Sequence, residues 1–454
     1  MWGISNSNFS GNMGIFLNPS TIVAAPYQYE FNFISVDGFA SNTYVYIPKS
    51  SNFLVRSATG QIGNGEQSFY DIYNTNLQSG YGHLLVIGPS VVRNRKDDGW
   101  SWGIHTAYRH EMSVKDVPPS LAKFIYSKYI YPPLINQTFN TSAFSAAWLS
   151  WGEIGGTYGR VLMEKENEIL KAAITVNLLL GFEGLSLNGN NMNYTFLDSS
   201  SAVIHQMDVT ISHALSTDGS SGVGDFFTIR GFGASTTIGG TYIHHWNRGS
   251  GDCSAAADDI KKYQYRLGVS LMDFGMIHFS NQAQIINVNT VTDRPWNHID
   301  TIKFHSVGQL DTLLSNNING TVNSAQNHSF TMYLPTAISL QFDYCFAPRW
   351  YGNVSWVNRI YYSNMEIARG NQIEVAGRYE KRSFEAALDL SLFEYSQPAV
   401  GFGIRYGIFV FGTDRLLELL NLTDIRSFDL FFGFKMNLCD MKKRQKGSCP
   451  AYKD

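Results

Sequence analysis

Charge is what this sequence has least of. Asp, Glu, Lys and Arg make up 16% of its 454 residues, against roughly 25% in ordinary soluble domains. The formal net charge of −3 provides no electrostatic footprint for a nucleic acid. Long apolar runs are missing too. No stretch of about 18 apolar residues occurs, which excludes helical membrane spans; the most apolar segment, "LKAAITVNLLLGF", is short and carries Asn177. Residues 11–33 sit where a signal peptide would, but Asn18-Pro19 interrupts their apolar run and no basic residue precedes it, so a removed leader is expected. Cysteines number four, and no Cys or His spacing matches a zinc site. Cys439 and Cys449 lie in a polar tail, where their spacing permits a disulfide in an oxidising compartment, two free thiols being the equal alternative.

Catalytic signatures are equally scarce. The serine-rich segments lack nucleophile-elbow glycines, and there is no phosphate loop. His244-His245-Trp246 has no nearby carboxylate, and His110-Glu111 lacks the second histidine of a zinc-protease helix. The expectation is a protein without catalytic residues, cofactor or metal.

Aromatics, at 14%, and glycine, with 41 residues, are what the chain does have. Low charge without long apolar runs leaves one membrane class open, the transmembrane barrel, whose strands are apolar only at alternate positions. The last 120 residues read that way. From Phe428 to Leu438 the even positions are Phe, Leu, Phe, Phe, Met and Leu. Val400, Phe402, Ile404, Tyr406, Ile408 and Val410 form one further run. Phe384–Leu392, Ile373–Tyr379 and Ile338–Phe346 repeat the pattern. Such runs of about 9 to 12 residues exceed the five or six usual in soluble strands, and their short connections imply antiparallel hairpins. Upstream, Trp100, Trp102, Ile104, Thr106 and Tyr108 oppose His105 and Arg109. Met207, Val209, Ile211, His213 and Leu215 share one side, as do Tyr263, Tyr265, Leu267, Val269 and Leu271. Asp273-Phe274-Gly275 breaks parity and predicts a bulge.

The fold expected is all-β, an antiparallel outer-membrane β-barrel of 14 strands (12 to 16 open), with short helices in long loops. Residues 1–26, too broken for a leader and too apolar for a free tail, are expected to tuck into the barrel mouth as a hatch. Asn18 closes a turn there, Pro19 fixes the next φ, and Ser20 follows. The barrel then runs from 27 to 438, its first strand outward at Tyr27, with inserts near 48–81, 114–142 and 280–331. A periplasmic tail covers 439–454. Counting crossings back from a periplasmic C-terminus puts the 280–331 insert on the periplasmic side. Arg378, Glu380, Glu385, Asp389, Arg405, Asp429 and Lys435 take the inward parity. Their mixed signs favour cross-strand ion pairs over a selective ring.

Several strings carry a resemblance over nearly the whole chain: "NPSTIVAAPYQYEFNF", "WGEIGGTYGRVL", "KAAITVNLLLGFEG", "YRLGVSLMDFGMIHF", "LPTAISLQFDY" and "GIRYGIFVFGTDRLLELL" leading to "DLFFGFKMNL". In order and spacing they resemble an outer-membrane barrel family of Bacteroidota of unknown function. A more distant similarity is to the long-chain fatty-acid transporter superfamily, which includes the shuttle barrels of type IX secretion. Its members carry an Asn-Pro-Ala box in an N-terminal hatch, matched here by Asn18 and Pro19 with Ser20 in place of Ala. Two departures stand out: no signal peptide, and a polar tail where such barrels end on an aromatic residue. The resemblance implies residence in a bacterial outer membrane among lipid and lipopolysaccharide. Passage of small hydrophobic or amphipathic molecules is one function it suggests. The alternative is a non-transporting scaffold beside secretion, gliding or barrel-assembly proteins of the outer membrane or periplasm. "DTI" and "DTL" resemble the O-glycosylation signal of the same bacteria, at Thr301 and Thr312.

Overall fold

The computed structural model describes residues 2–52, 56, 69–95, 99–127, 131–216, 227–246, 263–290, 292–297 and 326–438. Fourteen antiparallel strands close into a barrel. They are β1 (Tyr29–Asn42), β2 (Gln78–Ile87 with Ser90–Arg95), β3 (Trp100–Val117), β4 (Phe144–Glu164) and β5 (Glu168–Phe196). Next come β6 (Gly231–His245), β7 (Tyr263–Phe279), β8 (Phe330–Tyr333 with Ala337–Ala347), β9 (Trp350–Arg359) and β10 (Gln372–Glu380). The last four are β11 (Phe384–Phe393), β12 (Gln397–Tyr406), β13 (Phe409–Thr413) and β14 (Ser427–Leu438). Closure comes from β1 against β14, from Tyr29 opposite Leu438 to Ser41 opposite Ser427. Every strand thus has a hydrogen-bonded neighbour on both sides, as a wall in lipid requires.

Alternation follows from that closure. On β11, Leu388 and Leu390 are exposed while Ala387, Asp389 and Ser391 are buried. On β5, Ile174, Val176 and Leu178 point out while Thr175, Asn177 and Leu179 are buried. No helix among the described residues is long and apolar enough to cross a membrane; crossing is left to the strands.

Strand direction puts the joins β2–β3, β4–β5, β8–β9, β10–β11 and β12–β13 on one rim, all short, together with the longer join β6–β7. The long joins β1–β2, β3–β4, β7–β8, β9–β10 and β13–β14 meet the other, the long-loop rim, along with the three-residue turn 394–396. The wall is lopsided. The 29 residues of β5 would reach about 95 Å at strand rise, whereas a tilted crossing needs only about 9–11 residues. Its far half pairs with Ser201–Ala214, which pairs in turn with Gln284–Thr290 and Arg294–Asn297. β6 takes over below, at Gly231 opposite Gly181.

Five sequence expectations change. The run from Val400 to Val410 is two strands, because Gly407 (φ +58°) starts a two-residue hairpin joining Tyr406 to Phe409. The period of two survives in the letters but not in space: Val410 turns inward, and Phe409 and Phe411 face out. That extra crossing reverses the side of the 280–331 insert, whose described strands lie on the long-loop rim. Met207, Val209 and Ile211 do not face lipid; they pack with Met192, Tyr194, Phe196, Ile286 and Val288. The helix Pro119–Tyr126, begun by Pro at its first turn, covers them with Phe124 and Leu121. Tyr27 is buried against Phe9 and Ala25, and the first strand begins at Tyr29. Finally, Tyr263 does not face outward with Tyr265 and Leu267: the register shifts between His244 and His245 opposite it, and it is buried and donates to Asp343. The parity break at Asp273 is a bulge: β6 advances from Thr236 to Ile238 while β7 passes from Phe274 to Leu271.

A depth test follows. Replacing outward Leu388 in mid-strand by Arg should cost roughly 2–4 kcal/mol in liposomes, and Tyr406→Arg at the rim about 0–1. Denaturant unfolding of the reconstituted protein measures both, and equal costs would contradict the membrane-facing assignment.

Candidate functional site

The N-terminal segment lies inside the ring. It forms three short turns, Trp2–Ser5, Gly11–Phe16 and Pro19–Ile22, and it is buried over most of its length. Strand formation fails here for a local reason. Asn18 is extended, and its side chain accepts hydrogen bonds from Ser20 N (3.0 Å) and Ser20 Oγ (2.7 Å). Pro19 then opens the turn with a preset φ.

Inward side chains hold this segment from all sides. Ser20 Oγ and Thr241 Oγ1 of β6 are 2.6 Å apart. Ser270 of β7 donates to the Leu17 carbonyl (2.6 Å), and Lys171 of β5 to that of Val23 (2.7 Å). Asn18 Nδ2 donates to Gln341 of β8 (2.9 Å) and the Gly240 carbonyl (3.3 Å). Asn6 meets Ser355 of β9, Asn8 donates to Glu380 of β10 (2.8 Å), and Asn12 N donates to Glu30 of β1 (2.6 Å). Lys435 of β14 donates to the carbonyls of Phe9 and Ser10. Gly239 is needed here: a Cβ on it would collide with Asn18. Behind this spot the outer wall carries a shallow apolar groove of about 490 Å³ between Leu170, Tyr242, Leu267, Leu340 and Trp356.

The seven charges on inward parity are all buried, but they do not form one array. Arg378 bonds Glu380 (2.7 Å), Asn353 (2.8 Å) and Asp343 (2.9 Å). Asp343 also receives Tyr263 (2.6 Å) and Arg266 (2.7 Å). Arg405 bonds Glu385 (3.1 Å) and two strand-end carbonyls, and it stacks over Phe9 of the N-terminal segment. Lys435 pairs with Glu30 at 3.9 Å. Asp429 stands apart, accepting from Asp414 N (2.6 Å). Asp389 accepts no hydrogen bond among the described residues. Thr301, Thr312, Cys439 and Cys449 lie outside the described residues. Among the described residues no group of His, Cys, Asp and Glu is placed to hold a metal ion.

Above the N-terminal segment runs a second layer, which parity reading only touched. Phe16 sets its ring edge-on to buried His105 of β3 at 5.2 Å, and His105 lies 3.6 Å from Glu153 of β4. One turn of pleats higher, Arg109 makes two bonds to Asp273 (2.8 and 3.0 Å) and packs over Trp151 at 4.8 Å. Glu30, Lys171 and Arg266 were missed as well, as were Thr241, Ser270 and Gln341. Lys171, a lone cation in an otherwise apolar run, was the visible signal. Asn18→Ala should cost the segment roughly 1–3 kcal/mol. Amide exchange over residues 14–23 should then quicken about tenfold or more while the barrel ladders keep their protection; unchanged exchange would mean Asn18 does not hold the segment.

No curated protein matches the sequence. Among solved structures the chain is similar to the toluene transporter TbuX of Ralstonia pickettii, at 9% identity over 94% of each chain with a TM-score of 0.41. It is likewise similar to the toluene transporter TodX of P. putida, at 9% identity over 95% of each chain and a TM-score of 0.41. The COG4313 outer membrane channel from Pseudomonas putida F1 matches at 9% identity over 91% of this chain and 97% of its own, with a TM-score of 0.25. Likeness of this degree carries nothing about activity. With residues 24–414 matching its pattern, the chain belongs to the family of unknown function DUF5723.

Proposed function

We propose that the protein is a hatch-plugged channel of the outer membrane, held here in its closed form, for small hydrophobic or amphipathic molecules. One observation carries this reading: the lumen is filled by the chain's own N-terminal segment, fastened to the wall by hydrogen bonds and by apolar contacts of Ile4, Met13, Ile15, Leu17, Ile22 and Val23. Lys171, Ser270, Thr241, Glu30, Glu380 and Lys435 all face inward and all spend hydrogen bonds on that segment. Water can replace each of those partners when the segment moves, so its departure leaves a wetted passage rather than orphaned groups.

The proposed cargo class follows from layering. Around the hatch the lumen mixes charged, polar and apolar residues, and above the Arg109–Asp273 pair it becomes apolar, with Trp151, Leu179, Ile277 and Phe279 buried together. A solute with an apolar body finds complementary surface in the upper layer, and a polar end finds donors and acceptors below.

Deleting residues 1–26 should raise leakage of small solutes from liposomes several-fold while the barrel keeps its folded electrophoretic mobility. Unchanged leakage with a folded barrel would overturn the hatch as the plug.

A further inference from the structure

The segment between β9 and β10, residues 360–371, does not arch away from the barrel as a surface loop would. Its shoulders, Ile360, Tyr361 and Tyr362, are exposed, but its tip is buried. Ile367 is fully buried among Trp151, Leu179, Ile277, Phe279, Met332 and Leu334, all on inward parity or at the inner edge of the wall. The tip is also hydrogen-bonded in place. Tyr333 N donates to the Met365 carbonyl (3.0 Å), and Ala368 N donates to Ser113 Oγ of β3 (3.1 Å). Arg369 reaches Asp273, which also holds Arg109.

Asp273 is itself an unusual wall residue. It takes a positive φ of 52° at the bulge in β7, where pairing to β8 breaks between Met272 and Met276. The bulge turns its carboxylate inward. Tyr362 spans the same break, with its hydroxyl 3.0 Å from Thr336 Oγ1 and its ring against Tyr333 and Phe274. Four inward residues of β3 therefore read from one plug to the other. Ser101 bonds Asn94, His105 meets Phe16 of the hatch, Arg109 holds the shared aspartate, and Ser113 meets Ala368.

We infer that residues 360–371 are a strap that closes the barrel from the long-loop rim. Ile367 is its stopper and the Arg369–Asp273 ion pair its latch, so the lumen has two plugs in series. The inference rests on reading the lumen as a solute route, but it concerns a different element from the hatch. The surface beneath the strap is apolar, so the step it gates is the entry of an uncharged solute into the chamber around Trp151. The ion pair suits a latch. In a buried setting it holds the strap firmly, yet the Arg369 side chain remains partly exposed, at 19%, and water can reach it to release it.

The test uses full-length protein with its four native cysteines replaced by Ser and a reporter thiol in the chamber, Ala147→Cys. Ala147 is buried in the same apolar cluster. A second reporter, Ser10→Cys, sits in the hatch, where Ser10 is buried. Labelling by a membrane-impermeant maleimide is followed in liposomes. Two lesions act by different routes: Arg369→Gln removes the latch, and Ile367→Asp expels the stopper by placing a charge in an apolar chamber. Both should speed labelling at 147 at least tenfold and leave labelling at 10 unchanged. No acceleration at 147 in either variant overturns the strap. Equal acceleration at both reporters also overturns it, since the whole lumen would then have loosened. Neither result touches the hatch, which the deletion test reads separately.

Discussion

Everything in this protein depends on the closed ladder between β1 and β14. In hydrocarbon an unpaired backbone N–H or carbonyl has no water to turn to, and each such group costs several kcal/mol. A sheet of fourteen strands can therefore cross only if its first and last strands meet, as they do from Tyr29–Leu438 to Ser41–Ser427. Closure assigns every residue of the wall to one of two faces. The outer face must be apolar, and so Leu388, Val375, Val354 and Ile238 are exposed without being anomalous. The inner face is released from that demand and collects the chain's charges.

An inner face rich in Arg, Glu, Asp and Lys carries its own obligation. Those groups must be paired, hydrogen-bonded or hydrated. The chain meets part of this with cross-strand pairs such as Arg378–Asp343 and Arg405–Glu385. It meets more of it by folding its own N-terminus inside, where backbone carbonyls of Phe9, Ser10, Leu17 and Val23 serve as acceptors for lysine and serine side chains of the wall. The glycine at 239 is the counterpart on the wall side, cleared so that Asn18 can approach. The N-terminal segment and the lumen are thus complementary in both polar and apolar contacts.

The sequence made the wall legible where strands are exposed to lipid on one face and to the lumen on the other, because both solvents then write a period of two. That covers β8, β10, β11 and β14, and the strand number. Legibility failed where that contrast disappears. Gly407-Ile408 turns the chain within two residues without disturbing the alternation, so β12 and β13 read as one. Met207, Val209 and Ile211 alternate as a lipid face does, yet their apolar side is covered by Pro119–Tyr126 from a distant loop, and no local pattern announces such cover. The partners of the hatch were invisible for a similar reason. Ser270, Thr241 and Gln341 are unremarkable in sequence and acquire meaning only from a segment more than 200 residues away. Asp273 was different, since its break in parity marked the bulge that turns its carboxylate inward.

The central claim is that residues 2–26 occupy the lumen of the closed barrel, and one covalent cross-link tests it directly. Ser20 and Thr241 place their hydroxyl oxygens 2.6 Å apart across the hatch–wall boundary. In a background free of other cysteines, Ser20→Cys combined with Thr241→Cys should form a disulfide on mild oxidation of the membrane-embedded protein. Mass spectrometry would then detect one peptide pair joining positions 20 and 241, and unfolding before oxidation should abolish it. Failure to form that pair in a barrel of native electrophoretic mobility, with both thiols intact, would mean the N-terminal segment lies elsewhere.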